Sequence, residues 1–326
     1  MPVVIQKYSE AEKEKWNTFV QTADNSNFLF NRNFMDYHSD RFADCSIMVF
    51  EDNVLVGVFP ANKKNNSVYS HQGLTYGGLI LNERRNVKKM LEYFHSVFAF
   101  YASEGITEIV YKPLPSCFCK TQNDLEHFVM NMIGAETIKV DTGFVIDNRN
   151  ELKFQERRRR SLKKGEKAGT EVRINNDFDA YWNSILVPNL KDKFGTAPVH
   201  SLDEIKLLYS RFPEKIKQAN AYVNNEITAG VTLFEFENIT HCQYISSNDF
   251  GRDSGAIDFL FNYLINLYKP TVTYFSLGTA NNNGNDINTG LCEWKEGWGA
   301  RIHAHFHYKF KTENINVLEK YFKKDV

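Results

Sequence analysis

The chain carries the same order of local patterns twice. Residues 54–112 read as strand, strand, long amphipathic helix, strand, and residues 227–277 read the same way. Each copy opens on an alternating apolar strand with a glycine near its start. These are Val54-Leu-Val-Gly57-Val-Phe-Pro-Ala61 and Ile227-Thr-Ala-Gly230-Val-Thr-Leu-Phe234. A second strand ends at Val68-Tyr-Ser-His71 or Tyr244-Ile-Ser-Ser247. A glycine-containing loop and a helix follow, and each copy returns on a β-rich strand, Ile106 to Lys112 or Thr271 to Leu277. A repeated unit of this kind admits few architectures. The expectation is a mixed α+β fold built from two similar half-domains lying side by side. A cleft between such halves is a common place for a ligand.

Around the repeats the periodicities fill in the remaining elements. Ser9 precedes a helix over 10–23, with Trp16, Phe19, Val20 and Ala23 on one face. Strand 46–50 turns at Glu51-Asp-Asn53 into the strand carrying Gly57. From Val87 to Tyr101 the apolar positions Val87, Met90, Leu91, Phe94, Val97, Phe98 and Tyr101 form a helical stripe. Further helices are expected at 125–133, 181–187, 201–209 and 317–323, and strands at 137–146 and 299–311. Composition shifts near Asn148 to Asn150, which divides the chain into domains 1–148 and 149–326.

Composition removes several classes of function. A net charge of −1 over 326 residues is not that of a general polyanion binder. No segment has the roughly 20 continuous apolar residues of a membrane span. The start, Met1-Pro-Val-Val-Ile-Gln-Lys, lacks the regions of a signal peptide. Five irregularly spaced cysteines fit reduced thiols and a cytoplasmic location. Cys117 and Cys119 have no second pair to complete a zinc site. His303, His305 and His307 alternate, so they share one strand face. A metal would recruit ligands from a second element, so no metal is expected there.

Three segments concentrate polar chemistry. The loop Ser246-Ser247-Asn-Asp249-Phe-Gly251-Arg252-Asp-Ser-Gly255-Ala256 runs from a strand into a helix N-terminus. Glycines there let backbone N–H groups approach a phosphate, and Arg252 adds a fork of donors. The first copy has Gly77, Gly78, Arg84 and Arg85 at a similar place. Between Arg157 and Lys167 seven residues are basic and one is acidic. As a helix this run presents Arg157, Arg160, Lys164 and Lys167 in one stripe, with Arg158 and Lys163 beside it. It reads either as a solvated surface helix or as a clamp for the phosphates of a nucleotide, a lipid-linked precursor or RNA. The third segment runs from Thr279 through Asn288-Thr-Gly290-Leu-Cys-Glu-Trp294-Lys295-Glu-Gly297-Trp298-Gly299-Ala-Arg301. Its density of turn-forming residues suits a functional loop.

The duplicated unit, the run Arg158-Arg-Arg-Ser-Leu-Lys-Lys, and Asn288-Thr-Gly-Leu-Cys-Glu-Trp-Lys-Glu-Gly-Trp-Gly together resemble the FemAB-like branch of the GNAT acyltransferase superfamily. The likeness covers about Phe28 to Phe310. Members of that branch have two GNAT folds in tandem. They carry a pattern like Asn-x-Gly-Leu-x-x-Phe-Lys-x-x-Phe-Gly, with Trp294 and Trp298 standing here for the Phe positions. Relatives often have Asp-x-Gly on the preceding strand; here Ser276 stands in the Asp position.

The resemblance implies transfer of an acyl group from acyl-CoA to an amine of a cell-envelope sugar or precursor, nucleotide- or lipid-linked. The runner-up is a transferase using aminoacyl-tRNA. No sustained heptads mark a helical arm of the tRNA-dependent kind, which favours acyl-CoA. A non-catalytic tandem-GNAT binding module is the third reading.

On these readings Lys295, Tyr244 and Asp249 are the candidate catalytic residues. Ser247, Arg252, Gly255 and Ala256 would hold the donor's phosphate. His71, Tyr76, Asn288, Arg158, Lys163 and Arg301 would bind the acceptor or other substrate groups. Lys295, in an apolar neighbourhood, is expected to meet an anion on a substrate, or else Glu293 or Glu296.

Overall fold

The computed structural model describes residues 3–82, 86–282 and 286–323. Arg84 and Arg85 of the first-copy loop, and positions 283–285 of the third polar segment, lie outside the described residues. The chain divides into two compact units, 1–141 with 304–326, and 142–303. The expected division put everything after residue 148 in one domain; here residues 304–323 fold with the first unit.

In the first unit the elements are β1 (Val3–Lys7), α1 (Lys13–Thr22), α2 (Arg32–Met35), β2 (Ala43–Asp44), β3 (Ile47–Glu51), β4 (Val54–Phe59), β5 (Asn62–Lys64), β6 (Ser67–Tyr69) and β7 (Ile80–Leu81). Then come α3 (Val87–Ser103), β8 (Glu108–Tyr111), α4 (Leu125–Met132) and the start of β9 (Glu136–Asp147). Strands β1, β3, β4 and β7 form an antiparallel sheet. A second group runs β2, β5, β6, β8, with β6 and β8 parallel on either side of the α3 crossover. The last strand of the chain, β15 (Arg301–Lys311), places Tyr308–Lys311 against β8. Phe310 also meets Phe98 edge-on at 5.0 Å, which is why the tail belongs here. The expected closing helix is a 3-10 run, Thr312–Tyr321.

Helix α3 buries Met90, Leu91, Phe94, Val97, Phe98 and Tyr101, while Val87 in its first turn stays exposed. Phe59, Phe94, Phe98 and Tyr111 form an aromatic centre. Each fully buried side chain of this size contributes about 2 kcal/mol by removal from water.

In the second unit, β9 is followed by α5 (Glu156–Lys167), β10 (Glu171–Ile174), α6 (Phe178–Tyr181), α7 (Val187–Phe194) and α8 (Leu202–Arg211). A π-helical turn, Trp182–Leu186, joins α6 to α7. Strands β11 (Ile216–Val223), β12 (Glu226–Glu235) and β13 (Ile239–Ser247) lead to α9 (Asp249–Asp253), α10 (Ala256–Tyr268), β14 (Tyr274–Thr279) and α11 (Thr289–Glu296). The sheet order is β10-β11-β12-β13-β14-β9, antiparallel except for β13 and β14. That parallel pair flanks α10, as β6 and β8 flank α3.

The two copies differ in their opening strand. In the second, β12 is continuous and pairs with β13 throughout. In the first, the strand carrying Gly57 stops at Phe59, and only its continuation β5 pairs with β6. Pro60 lies at the break, where it offers no N–H to a ladder. Gly57 therefore faces Val49 and Leu81 in the other sheet.

One face of the second sheet packs on α10 through Leu260, Phe261 and Leu264, against Ala219, Ala221, Val231, Leu233, Phe275 and Leu277. Helix α5 crosses α10 at two glycines. A Cβ on Gly165 would lie 2.6 Å from the Gly255 carbonyl oxygen, and one on Gly255 would lie 2.1 Å from the Ser161 carbonyl oxygen. Gly255 also has φ +80°, a left-handed backbone that other residues resist. Gly165→Ala is expected to destabilise the protein by about 1–3 kcal/mol through overpacking, read as a lower urea midpoint at constant slope.

Candidate active site

Strands β13 and β14 pair only through Ile239–His241 and Tyr274–Ser276, and then part. A bulge in β13 coincides with the parting. Leu233 faces Cys242 and Thr232 faces Tyr244, so Gln243 is the extra residue. Cys242 stays in the core against α10, while Tyr244, two residues on, pairs with Thr232 and packs on Trp182 from the π-turn. Without the bulge, residues two apart would share a face. Ser276, in the position of the relatives' acid, shares a hydrogen bond with His241 Nδ1 at 2.9 Å and accepts one from the Gly278 N–H at 3.3 Å.

Beside the parted strands lies a cleft of about 940 Å³, within the second unit. Its walls are α5, α7, α11, the last residues of β13 and the N-terminal turn of α10. Arg157, Arg160 and Lys164 from α5 face Lys193 from α7 and Arg252 across it. Two acids, Asp253 and Asp258, share the lining. Burial and the neighbouring Arg252 charge both hold Lys193 below its ordinary pKa. The cleft is thus positive and adjoins a helix N-terminus, the arrangement that favours a phosphate. Gly255 caps α10 and Ala256 opens it, both buried. Arg252 donates to the Ser247 carbonyl at 2.6 Å and pairs with Asp249, which tethers the strand end to α9. The Asp249 side chain is otherwise exposed.

Arg158 points inward from α5, away from the basic stripe. It donates to Asp258 Oδ1 at 2.6 Å, and Trp294 Nε1 donates to the same oxygen at 3.0 Å. Three helices meet at that atom. Trp298 is wholly buried, stacked near Phe261, and Trp294 meets Phe261 edge-on at 4.7 Å. Asn288 caps α11, its side chain accepting from the Leu291 N–H at 2.9 Å. Arg301 donates to the Ala300 carbonyl, and Lys163 is exposed outside the cleft lining.

Lys295 is 2 % exposed, and its ammonium meets a carbonyl rather than a carboxylate. Nζ donates to the Thr279 carbonyl at 2.6 Å, at the end of β14. Neither Glu293 nor Glu296 pairs with it among the described residues. Burial pulls its pKa down to about 7, with the nearby Cys242 and Cys292 thiols pulling weakly the other way.

His71 and Tyr76 sit in the first unit. His71 is buried with φ +63°, packed on His38 and Phe42, and burial pushes its pKa down to about 3. Tyr76 packs on Phe118 and His305, its buried hydroxyl without a partner among the described residues. His307 bonds Asp141 at 2.9 Å, and His303 lies near Tyr274. No group of three or more metal-ligating side chains occurs among the described residues. No helix among them is long and apolar enough to cross a membrane.

Lys193, Asn189 and His200 carry no sequence signal. Asn189 bonds Ser246 at 2.9 Å, and His200 bonds Tyr244. Asn189 and His200 reach β13 from a segment more than 40 residues away, and Lys193 lines the cleft from the same segment.

Asp258→Asn is expected to cost about 3–5 kcal/mol in chemical denaturation, because Arg158 is left as an uncompensated buried charge. Lys295 generates a pH-dependent expectation. Its pKa is about 7 folded and 10.5 in the unfolded reference, so between those values the unfolded chain binds more protons. Stability from this group therefore rises with pH across that window. Relative to Lys295→Met, the wild type should be at its weakest below about pH 7 and gain steadily toward pH 10.5. Parallel melting curves across that range check it; a constant gap would show that folding does not lower the Lys295 pKa.

No protein-family model matches the sequence, and no curated protein sequence matches it. Solved structures do. FemX superposes with a TM-score of 0.66 at 12 % identity, over 94 % of this chain and 97 % of that one. L-PGS from Bacillus licheniformis gives 0.59 at 12 % identity, over 96 % and 95 %. A tandem GNAT protein from the clavulanic acid biosynthesis pathway gives 0.50 at 13 % identity, over 95 % and 99 %. The chain shares the fold of these FemX and tandem GNAT structures.

Proposed function

We propose that the protein is an N-acyltransferase whose second unit holds a phosphorylated acyl donor. The observation that carries this is the convergence of Arg157, Arg160, Lys164 and Lys193 on the α10 N-terminus, beside the place where β13 leaves β14. Phosphates in the cleft would put the acyl carbonyl against the free edge of β13. Backbone N–H groups there suit a developing oxyanion.

The preferred donor is acyl-CoA, and the acceptor an amine of a nucleotide- or lipid-linked envelope sugar. Within the second unit the acceptor contact is assigned to Asn288. Tyr244, half-exposed on the parted strand, is the group best placed to handle the amine's proton. Lys295 holds the end of β14 through Thr279 and so keeps the parting in shape.

A second donor reading, aminoacyl-tRNA, has one observation in its favour. Arg159, Lys163 and Lys167 extend the basic surface of α5 past the cleft, which suits a longer polyanion.

Thermal-shift measurements with acetyl-CoA, longer acyl-CoAs and deacylated tRNA separate the donors, since a ligand of the folded state raises its melting temperature. The paired replacement R160A/K164A should weaken binding of the stabilising ligand by about 1.5–3 kcal/mol for each charged hydrogen bond it removes. A melting temperature unmoved by every one of these ligands would overturn the assignment of the cleft. Lys295→Met should lower turnover while the donor still binds.

A further inference from the structure

We propose that the first unit holds a second small-molecule site, separate from the cleft, which takes a small monocarboxylate with an apolar body. The site is a cavity of about 280 Å³ at the C-terminal end of α3. All of its lining residues belong to the first unit, so it stands independently of the acyl-transfer reading.

The cavity follows from the way the chain passes between two sheets. Strands β3 and β4 belong to one sheet, β2 and β5 to the other. The chain crosses at Cys45-Ser46 and again at Pro60-Ala61. The two crossings are tied together. The Cys45 N–H donates to the Ala61 carbonyl at 3.0 Å, and the Ala61 N–H donates to Ser46 Oγ at 3.0 Å. A ribbon bent in this way leaves a gap between Lys7, at the end of β1, and Val68 on β6.

The last turn of α3 adds Phe100 and Tyr101 to the wall, and Ile106 follows. Its carbonyls are spent on the helix end. The Glu104 N–H donates to the Phe100 and Tyr101 carbonyls at 3.2 and 3.1 Å, and the Ile106 N–H donates to that of Tyr101 at 3.0 Å. The wall therefore presents rings and aliphatic side chains. Val68, Tyr101 and Ile106 are buried, and the Tyr101 hydroxyl is fixed by donating to the Cys45 carbonyl at 2.7 Å. The Tyr8 ring is held by the Arg32 guanidinium, 3.5 Å from its centre.

Four charged residues line the cavity, and three of them are answered. Asp44 accepts from Arg32 at 2.7 Å and from Ser46 Oγ at 2.5 Å. Lys7 and Glu104 pair at 2.5 Å, with the Lys7 ammonium 5.9 Å from the Phe100 ring centre. Lys63 has no ion pair among the described residues. It stands opposite Val68 in the β5–β6 ladder, so its stem leaves the strand on the side of the apolar wall. Burial and the Asp44 charge push the Cys45 thiol up to about 12, with Lys63 and Lys7 pulling weakly the other way. The thiol is neutral and leaves Lys63 unanswered.

The surplus is thus one cation beside an apolar wall, and its complement is one carboxylate on an apolar body. An ammonium would meet two lysines, and a polyphosphate would find a single unpaired one. The volume is that of about nine waters at ~30 Å³ each, which suits a phenyl ring or a short alkyl chain.

The test uses the full chain and two probes, phenylacetate and hexanoate, each beside its neutral amide. Binding is followed by ligand-observed NMR and calorimetry. Each acid should bind about tenfold more tightly than its amide, and Lys63→Gln should remove that difference while Lys63→Arg keeps it. Lys63 is exposed, so neither replacement threatens the fold. The cleft variant R160A/K164A should bind the acids as the wild type does. Location is read from Cys45, which is half-buried where the other four thiols are buried. Its alkylation by N-ethylmaleimide, followed by peptide mass spectrometry, should slow as the acid saturates. Preference for phenylacetate or for hexanoate supports the site and names the body as ring or chain. Acids and amides binding alike, or Lys63→Gln binding as tightly as the wild type, would overturn the carboxylate. Loss of binding in R160A/K164A would move the anion to the cleft and sink the second site. Cys45 alkylated at one rate with and without acid, or no binding of either acid at about 10 mM, would sink it as well.

Discussion

One carboxylate oxygen, Asp258 Oδ1, determines where the cleft's charges stand. It accepts from Arg158 on α5 and from Trp294 on α11, while Asp258 itself belongs to the first turn of α10. Three segments far apart in sequence are pinned at one buried atom. Desolvating an arginine and an aspartate costs several kcal/mol, and only close geometry with further hydrogen bonding offsets it. Here the geometry has a second function, because turning Arg158 inward turns Arg157, Arg160 and Lys164 outward along the same helix. The glycine crossing at Gly165 and Gly255 sets the spacing of those helices; the ion pair sets the rotation.

The positive cleft has an electrostatic cost of its own. Arg252 is drawn to Asp249 and the Ser247 carbonyl, yet its charge still reaches Lys193. The α5 cations are exposed and solvated, which keeps their mutual repulsion tolerable. Such an array gains most from an anion that meets several members at once, since each separate exposed contact is weak.

How much of the structure is legible in the sequence depends on the range of the interaction. Helices α3 and α10 and the strands of the second repeat follow from periods of 3.6 and 2, which local sequence carries. The basic run is visible, but the inward turn of Arg158 is not, because its partner lies 100 residues away. The first repeat reads as a copy of the second, yet Pro60 hands its opening strand from one sheet to another. The proline is there to be seen; which sheet each half joins is not. Lys295 stands out by its motif, while its partner is a backbone carbonyl, a group every residue has. His200 announces itself by nothing, since its value comes from a contact with Tyr244 across the fold.

The single extra residue in β13 has a consequence for how this protein tolerates change in length. Gln243 is looped out of the ladder, since Cys242 still faces Leu233 and Tyr244 still faces Thr232. Deleting it would make Cys242 and Tyr244 neighbours in a regular ladder, with Cys242 toward α10 and Tyr244 toward Trp182 as before. What would go is the local bend and added twist of a bulge, at the place where β13 leaves β14. A residue gained or lost elsewhere in the paired strand acts differently, because a one-residue slip turns every following side chain to the other face. A change of length at Gln243 therefore alters the course of the strand, and the same change beside it exchanges interior and surface.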